Sequence, residues 1–366
     1  MSVPNEFFFF KGRVALYAIL KAIGIKPEDE IIVPGFTCVV VPNAITYLDA
    51  KPVYVDIDPK TYNIDPEKIE EKITDKTNAI IAQHTFGIPA DMDKITEIAK
   101  NNNLYIIEDS CHAIGSKYKR KEVGTFGDAA FFSSQWSKPV TTGLGGWAIV
   151  NNPELREKLD NIYNEYTQPS FIESSVLRLQ YILYSTLFTP SRFWFAQKTY
   201  RALSKLGIAV GSSTNEELEC MMPVDYKKRM SVWQMELLDI KLKNISQVIE
   251  HRKWVVSQYN KQFSKEVIEP INLPDYYETV FLRYPVIIKE KEKFLETARI
   301  NKIEIGDWFV SPVHPNLYGW ELAGYRKGMC PVAEDICDHI VNLPTHQGIR
   351  VKEIEKIVEL VVYGSA

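Results

Sequence analysis

Four side chains between positions 109 and 138 have types and spacing that could do chemistry: Asp109, His112, Ser133 and Lys138. Lys138 stands in "FFSSQWSKPVTTGLGGWAIV", the one charged residue of that stretch. A lysine is ordinarily a solvated surface charge, but an amine set in apolar surroundings can act as a nucleophile. The run "LYIIED" ends in Asp109 with His112 just beyond, and "AAFFSS" ends in Ser133 and Ser134 shortly before Lys138. Taken singly, each has an ordinary reading. Asp109 could cap a helix, His112 and His84 could be satisfied core histidines, and Ser133 could be a polar strand end. Taken together with Phe36 at the end of "IIVPGF", they offer an acid, a hydroxyl, an amine and an aromatic ring. The amine can form a Schiff base with an aldehyde, and the carboxylate can keep a pyridine nitrogen protonated so that the ring accepts electrons. Hydroxyls and N–H groups at a helix start can hold a phosphate. These are the requirements of a pyridoxal 5'-phosphate (PLP) site.

Such residues must be brought together by the elements that carry them. Apolar runs "EIIVPGFT" (30–37), "KPVYVDID" (51–58), "NAIIAQHTFG" (78–87) and "LYIIEDSCHAIG" (104–115) read as strands. Helical patterns at 12–24, 39–48, 65–74 (opened by Asp65 and Pro66) and 91–101 (opened by Asp91) alternate with them. "GDAAFFSSQ" and "GGWAIVNN" read as two further strands flanking the Lys138 loop. Strands buried on both faces and alternating with helices predict an α/β fold with a mostly parallel central sheet. Ligands in such sheets bind beyond the carboxyl ends of the strands, where the candidate residues fall. From about 152 the pattern turns helical, longest at 230–263. It then becomes mixed, with "TVFLRYPVII", "RINKIEIGDWFV" and the helix-like "VKEIEKIVELVV". The expected division is a large domain over 1–240 and a smaller α+β domain over 241–366.

Composition narrows the function classes. Lys and Arg number 43 against 47 Asp and Glu, a formal charge of -4, which argues against a nucleic-acid binder. Five cysteines, an odd count without a CxxC pair, suit reduced thiols in the cytoplasm. Glu6, Lys11 and Arg13 interrupt the apolar N-terminus, so it reads poorly as a signal peptide. No window has the length of uncharged apolar residues that a membrane span needs. The six histidines lack metal-ligand spacing, and no metal site is expected.

Three stretches carry a resemblance to a known family. "DEIIVPGFTCVVVPNAITYLDAKPVYVDIDPKTYNIDPEKIEEKIT", "IIEDSCHAIGSKYKRKEVGTFGDAAFFSSQWSKPVTTGLGG" and "CPVAEDICDHIVNLPTH" resemble, in order and spacing, segments of the DegT/StrS-type PLP-dependent sugar aminotransferases. The resemblance implies the type I (aspartate aminotransferase) fold and a homodimer with sites built across its interface. It also implies transfer of an amino group, from L-glutamate by analogy, to a keto-sugar that is nucleotide-linked, as in polysaccharide biosynthesis. Lys138 would be the Schiff-base lysine and the proton carrier, and Asp109 the partner of the pyridinium nitrogen. His112 would lie near the cofactor's phenolic oxygen, Ser133 and Gly12 at its phosphate, and Phe36 in the segment that supplies a ring-stacking aromatic. Relatives that dehydrate sugars replace the lysine by histidine, so Lys138 favours amination. Amination or dehydration of another keto-cyclitol or keto-sugar, and a non-catalytic PLP-binding regulator, stand as alternatives.

This chain departs from the family pattern in places. Lys11-Gly12-Arg13 replaces Ser-Gly-Thr, which makes Arg13 a candidate phosphate ligand. Lys227 in "DYKKRM" takes the place of an Asn that the family sends to the neighbouring subunit's phosphate. In "DWFVSPVHP", Trp308 replaces a polar residue on the substrate side while His314 is kept. The segment 168–213 is long and aromatic for the family. Leu177, Leu179, Ile182, Leu183 and Leu187 have helical rhythm, and Arg178, Arg192, Lys198, Arg201 and Lys205 interleave charge. It reads as a helical hairpin packed on the dimer or over the active site, with an amphipathic membrane-contacting element as the alternative.

Overall fold

A computed structural model of the chain describes residues 5–187, 211, 213–263 and 270–364. The runs that are apolar throughout become the strands of one central sheet. Its order is β1 (Glu6–Phe9), β10 (Gly146–Val150), β9 (Ala129–Ser133), β6 (Tyr105–Asp109), β5 (Thr77–Gln83), β2 (Glu30–Pro34) and β4 (Lys51–Val55). From β9 to β4 every neighbour is parallel, and β10 and β1 add an antiparallel edge. Ile31, Ile32 and Val33 on β2 and Ile80 and Ile81 on β5 are fully buried, as strands covered on both faces must be. Helices α1 (Gly12–Ile23), α2 (Val40–Thr46) and α4 (Pro153–Asn164) share a core with one face, and α3 (Met92–Asn101) packs Met92, Ile95 and Ile98 on the other. This is the large, mostly parallel, helix-flanked sheet expected from the sequence.

The C-terminal part adds α7 (Val232–Lys243), α8 (Ile245–Gln262), α9 (Lys291–Ile300), α10 (Pro331–His339) and α11 (Val351–Gly364). Strands β12 (Arg283–Ile287) and β14 (Ile340–Pro344) pair antiparallel. β7 (Lys117–Tyr118), β8 (Lys121–Glu122) and β11 (Tyr277–Glu278) make a small three-stranded sheet. One short parallel seam matters most for function: β13 (Val313–His314) pairs with β3 (Thr37–Cys38). It brings the loop before His314 against the segment that follows β2.

Two expectations need correction, and two segments that the sequence left open take definite form. The Phe run at the N-terminus is strand β1, with Phe7 and Phe9 buried and Phe8 on the other face. Residues 65–74 form two single 3-10 turns, Pro66–Lys68 and Glu70–Lys72, because Ile69 is the one residue between Glu67 and Lys72 with an apolar side chain to bury. The long pattern 230–263 breaks at Asn244, whose Nδ2 donates to Ile240 O while its own N–H bonds Lys241 O, so α7 ends and α8 begins there. "RINKIEIGDWFV" contributes the end of α9 and an irregular loop, tied to β14 by the Gly306–Asn342 bridge.

Helix α5 (Phe171–Leu187) covers the described half of the long insertion, and α6 (Asn215–Leu218) follows it. Leu177 is fully buried against Phe10 and Leu144, whereas Leu179, Ile182 and Leu183 are about half exposed. The apolar rhythm therefore splits between an inner and an outer face. Arg192, Lys198, Arg201 and Lys205 lie outside the described residues. Among the described residues no helix is long and apolar enough to cross a membrane.

Candidate active site

The Lys138 loop leaves the sheet at Ser133 and returns at Gly146, and its base is tied by hydroxyls. Ser134 Oγ and Thr142 Oγ1 lie 2.7 Å apart, Thr142 Oγ1 donates to Leu144 O at 2.7 Å, and Gln234 Nε2 on α7 donates to that same carbonyl. Gly145 has φ +151, and a Cβ there would meet Ser134 Oγ at 2.3 Å, so the crossing needs glycine. At the far side, α5 lies over the loop. Tyr184 Oη donates to Trp136 O at 3.0 Å, and Leu177 sits beside Gly143. The described part of the insertion, α5, thus packs over the Lys138 loop, and the rest of the expected hairpin lies outside the described residues.

At the loop's tip Lys138 is half-buried, with its Nζ 5.4 Å from the centre of the Trp308 ring. It makes no ion pair within 4 Å among the described residues. Burial holds its amine below the usual lysine range, and the opposing influence of Cys111, Asp109 and Cys38 does not restore it. Asp109, at the end of β6, is buried, and burial raises its carboxyl above the usual range against the Cys111 N–H, which Oδ1 accepts at 3.0 Å, and against Lys138. His112 stacks on Trp308 at 5.6 Å and 24°. Its Nδ1 is buried with no hydrogen-bond partner. Burial, then the nearby Lys138, Arg283 and His314, keep the imidazole well below its ordinary pKa and hence neutral.

Trp308 is a shared wall. Besides Lys138 and His112 it meets His314, with ring centres 5.8 Å apart, and the Arg283 guanidinium at 4.8 Å. The β3–β13 seam holds this wall against the large sheet. Burial keeps His314 down to about 4, with Asp307 opposing. Arg283 escaped the sequence reading. Its signal was a cation opening the apolar run "RYPVII".

The phosphate end of the expected site is the start of α1. Its first N–H groups have no partner within the helix, and no side chain caps it. Gly12 is packed tightly here, since a Cβ would meet Phe132 O at 2.8 Å and Ser133 Cβ at 3.2 Å. Gly12 and Ser133 are thereby adjacent. Arg13 is otherwise engaged. Its Nη1 lies 2.9 Å from Glu217 Oε1 and donates to Ser213 Oγ at 3.1 Å, while Lys11 Nζ bonds Glu217 Oε2 at 3.2 Å. Burial works to raise the Glu217 carboxyl, but Arg13 and Lys11 outweigh it and hold it below the usual range. Lys227 has its Nζ 5.7 Å from the Tyr17 ring on α1. Phe36 is fully enclosed, 4.3 Å from Phe309 and beside Phe86 and Tyr62. In this arrangement it is a core ring, and the aromatic surface at Lys138 belongs to Trp308.

The donor set fits the group expected from the sequence. An amine held below its usual pKa, a buried carboxylate with one main-chain donor, an unpartnered imidazole nitrogen and a helix start beside a hydroxyl can receive, respectively, an aldehyde, a protonated pyridine, a polar ring substituent and a phosphate.

Comparison with known proteins agrees with this chemistry. A model of the DegT/DnrJ/EryC1/StrS aminotransferase family matches residues 10–174 and 195–362. The GDP-perosamine synthase of Escherichia coli O157:H7 is 48% identical over 147 residues, 40% of each chain. The dTDP-3-amino-3,6-dideoxy-alpha-D-galactopyranose transaminase of Aneurinibacillus thermoaerophilus is 30% identical over 351 residues, 96% of this chain and 83% of that one. The crystal structure of NtdA from Bacillus subtilis, with bound cofactor PMP, shares the fold at a TM-score of 0.73 and 21% identity, over 98% of this chain and 72% of that one.

Proposed function

We propose that this chain, which belongs to the DegT/DnrJ/EryC1/StrS aminotransferase family and is an aminotransferase, moves an amino group from L-glutamate to a nucleotide-linked keto-sugar with PLP as its cofactor. The observation that carries the reading is the Lys138 amine, held below its usual pKa beside the buried Asp109 carboxylate. Relatives named for perosamine and for a dTDP-linked amino sugar support the acceptor class.

Bound PLP supplies an electron sink for breaking the C–H bond next to the substrate nitrogen. The remaining work falls to the protein. Asp109, poorly solvated and lightly hydrogen-bonded, is a strong partner for a cationic ring nitrogen. Gly12 and Arg13 offer main-chain N–H groups, and Ser133 a hydroxyl, to the phosphate. The neutral imidazole of His112 can donate to or accept from the ring oxygen without adding charge. Lys138 Nζ, freed by an incoming amine and neutral more readily than an exposed lysine, takes a proton from one carbon and returns it to another. α5 and Trp308 flank the loop and limit water there. The same reading makes the enzyme a cytoplasmic homodimer, to be checked by light scattering.

The test is an absorbance spectrum of the PLP-reconstituted protein, with Lys138→Ala as control, before and after L-glutamate. The expected result is a band that needs Lys138 and is replaced by the pyridoxamine phosphate spectrum on adding glutamate. A band that forms but ignores every amino donor would favour the regulatory alternative. Absence of any Lys138-dependent band would sink the reading.

A further inference from the structure

Arg283 opens β12, and its guanidinium lies 4.8 Å from the centre of the Trp308 ring. Lys138 Nζ lies 5.4 Å from the same centre, so the two cations are separated by no more than those two distances laid end to end. His112 and His314 border the same ring. Room is kept for the guanidinium at Gly306, where a Cβ would meet Nη1 at 2.6 Å. Among the described residues its guanidinium makes no hydrogen bond and has no carboxylate within 4 Å. Glu304, the carboxylate acting most strongly on it, is taken by His346 at 3.0 and 3.1 Å. The neighbouring Arg252 makes the contrast plain. Its Nη1 donates to Phe281 O at 3.2 Å, Leu282 O at 2.8 Å and Thr345 Oγ1 at 2.6 Å. Arg252 is a structural cation whose Nη1 is bonded from within, although its Nε is buried without a partner, whereas Arg283 is stacked, partly desolvated and, among the described residues, unpaired. A desolvated cation without a partner is costly, and an anion arriving with a ligand would remove that cost.

We propose that Arg283 binds the carboxylate of the amino donor, meeting its two oxygens with the planar fork of the guanidinium while the donor's amino group reaches Lys138. This inference rests on the aminotransferase reading of the Lys138 site. The ring of Trp308 pre-organises the guanidinium by stacking, which lowers the entropy lost when a carboxylate docks. A carboxylate suits one guanidinium in geometry and charge. The diphosphate of a nucleotide-linked acceptor carries more charge than one arginine answers.

The experiment uses the full-length, PLP-loaded protein and reads the spectral change of the first half-reaction during titration with L-glutamate or with n-propylamine, which has no carboxylate. The keto-sugar is titrated against the pyridoxamine form. In Arg283→Met, half-saturation by L-glutamate is expected to rise roughly 100-fold, while half-saturation by n-propylamine and by the keto-sugar stays put. Arg283→Lys, which keeps the charge and loses the fork, should fall between. Gly306→Ala, which leaves the arginine in place but displaces its tip, should weaken glutamate in the same selective way. Unchanged half-saturation by glutamate in Arg283→Met overturns the assignment. So does an equal loss for glutamate and n-propylamine, the mark of general disturbance, or a loss confined to the keto-sugar, which would move Arg283 to the acceptor's diphosphate. A wild-type protein whose spectrum ignores glutamate sinks the aminotransferase reading, and this inference with it.

Discussion

Glu108 and Asp109 are consecutive carboxylates on β6, and their surroundings are opposite. Glu108 is fully buried and fully engaged. Its Oε2 takes Gly124 N at 2.7 Å and His84 Nε2 at 3.1 Å, and its Oε1 takes Phe126 N at 2.6 Å and Gly127 N at 2.8 Å. His84 completes the unit by accepting Ala90 N at Nδ1, which leaves Nε2 as the donor to Glu108. Asp109, on the other face of the strand, accepts one main-chain N–H and feels Lys138, a lysine with no ion pair among the described residues, while His112 three positions on keeps an unpartnered nitrogen. Buried polar groups are normally satisfied within the protein. The first cluster obeys that rule and holds the turn at 124–127 to the strand. The second departs from it at His112 Nδ1, beside two half-buried cations, Lys138 and Arg283, that have no partner among the described residues, and that concentration separates a candidate site from a structural knot.

Swapping each carboxylate for its amide should break the symmetry between them. Glu108→Gln leaves an N–H-rich hole with one oxygen too few, and should destabilise the fold by about 3 kcal/mol, read as a urea midpoint. Asp109→Asn should change that midpoint by no more than about 1 kcal/mol, yet weaken PLP binding roughly 100-fold in a fluorescence titration. If both variants behaved alike, the distinction between the clusters would be lost.

A pH profile sharpens the comparison. His314 is held down to about 4 and His112 lies well below its usual value, both chiefly by burial. Below the ordinary histidine range the unfolded chain binds protons that the folded chain refuses. Their contribution is therefore fully present above about pH 6.5 and is lost as pH falls towards 4. Between those limits His314 should account for on the order of 2 kcal/mol, and His314→Gln should flatten that part of the profile in chemical denaturation at pH 7 and pH 5. An unaltered slope would mean that the imidazole is not desolvated.

The last comparison lies within α5, between its inner and outer faces. Leu177→Ala should cost about 3 kcal/mol, as a buried leucine whose loss leaves a cavity under the Lys138 loop. Leu179→Ala, on the outer face, should stay within about 0.5 kcal/mol. Equal costs, measured by thermal unfolding, would show that the outer face is also packed.

Much of this was legible in the amino-acid sequence, and the limits have a physical cause. Periodicity and composition are local, so the alternation of buried strands and helices, the parallel sheet and the placing of Asp109, Ser133 and Lys138 at its carboxyl edge followed from the order of residues alone. The same local reading failed where partners are distant. The Phe run becomes a strand only because β10 supplies its hydrogen bonds. Asn244 is the exception, since it breaks a continuous helical pattern through bonds to Ile240 and Lys241 close by in sequence. Arg13 was expected at a phosphate because it stands where the family has the hydroxyl of Ser-Gly-Thr, and Glu217, two hundred positions on, pairs with it. Trp308, His314 and Arg283 reach Lys138 through two short pairings, β3 with β13 and β12 with β14, whose registers no local pattern encodes. The sequence by itself determined the kind of fold and the placing of Lys138 and Asp109 at the carboxyl edge of the sheet. Only the tertiary structure decided which cations are satisfied and which are left for a ligand, because satisfaction depends on which distant groups the folded chain brings within hydrogen-bond reach.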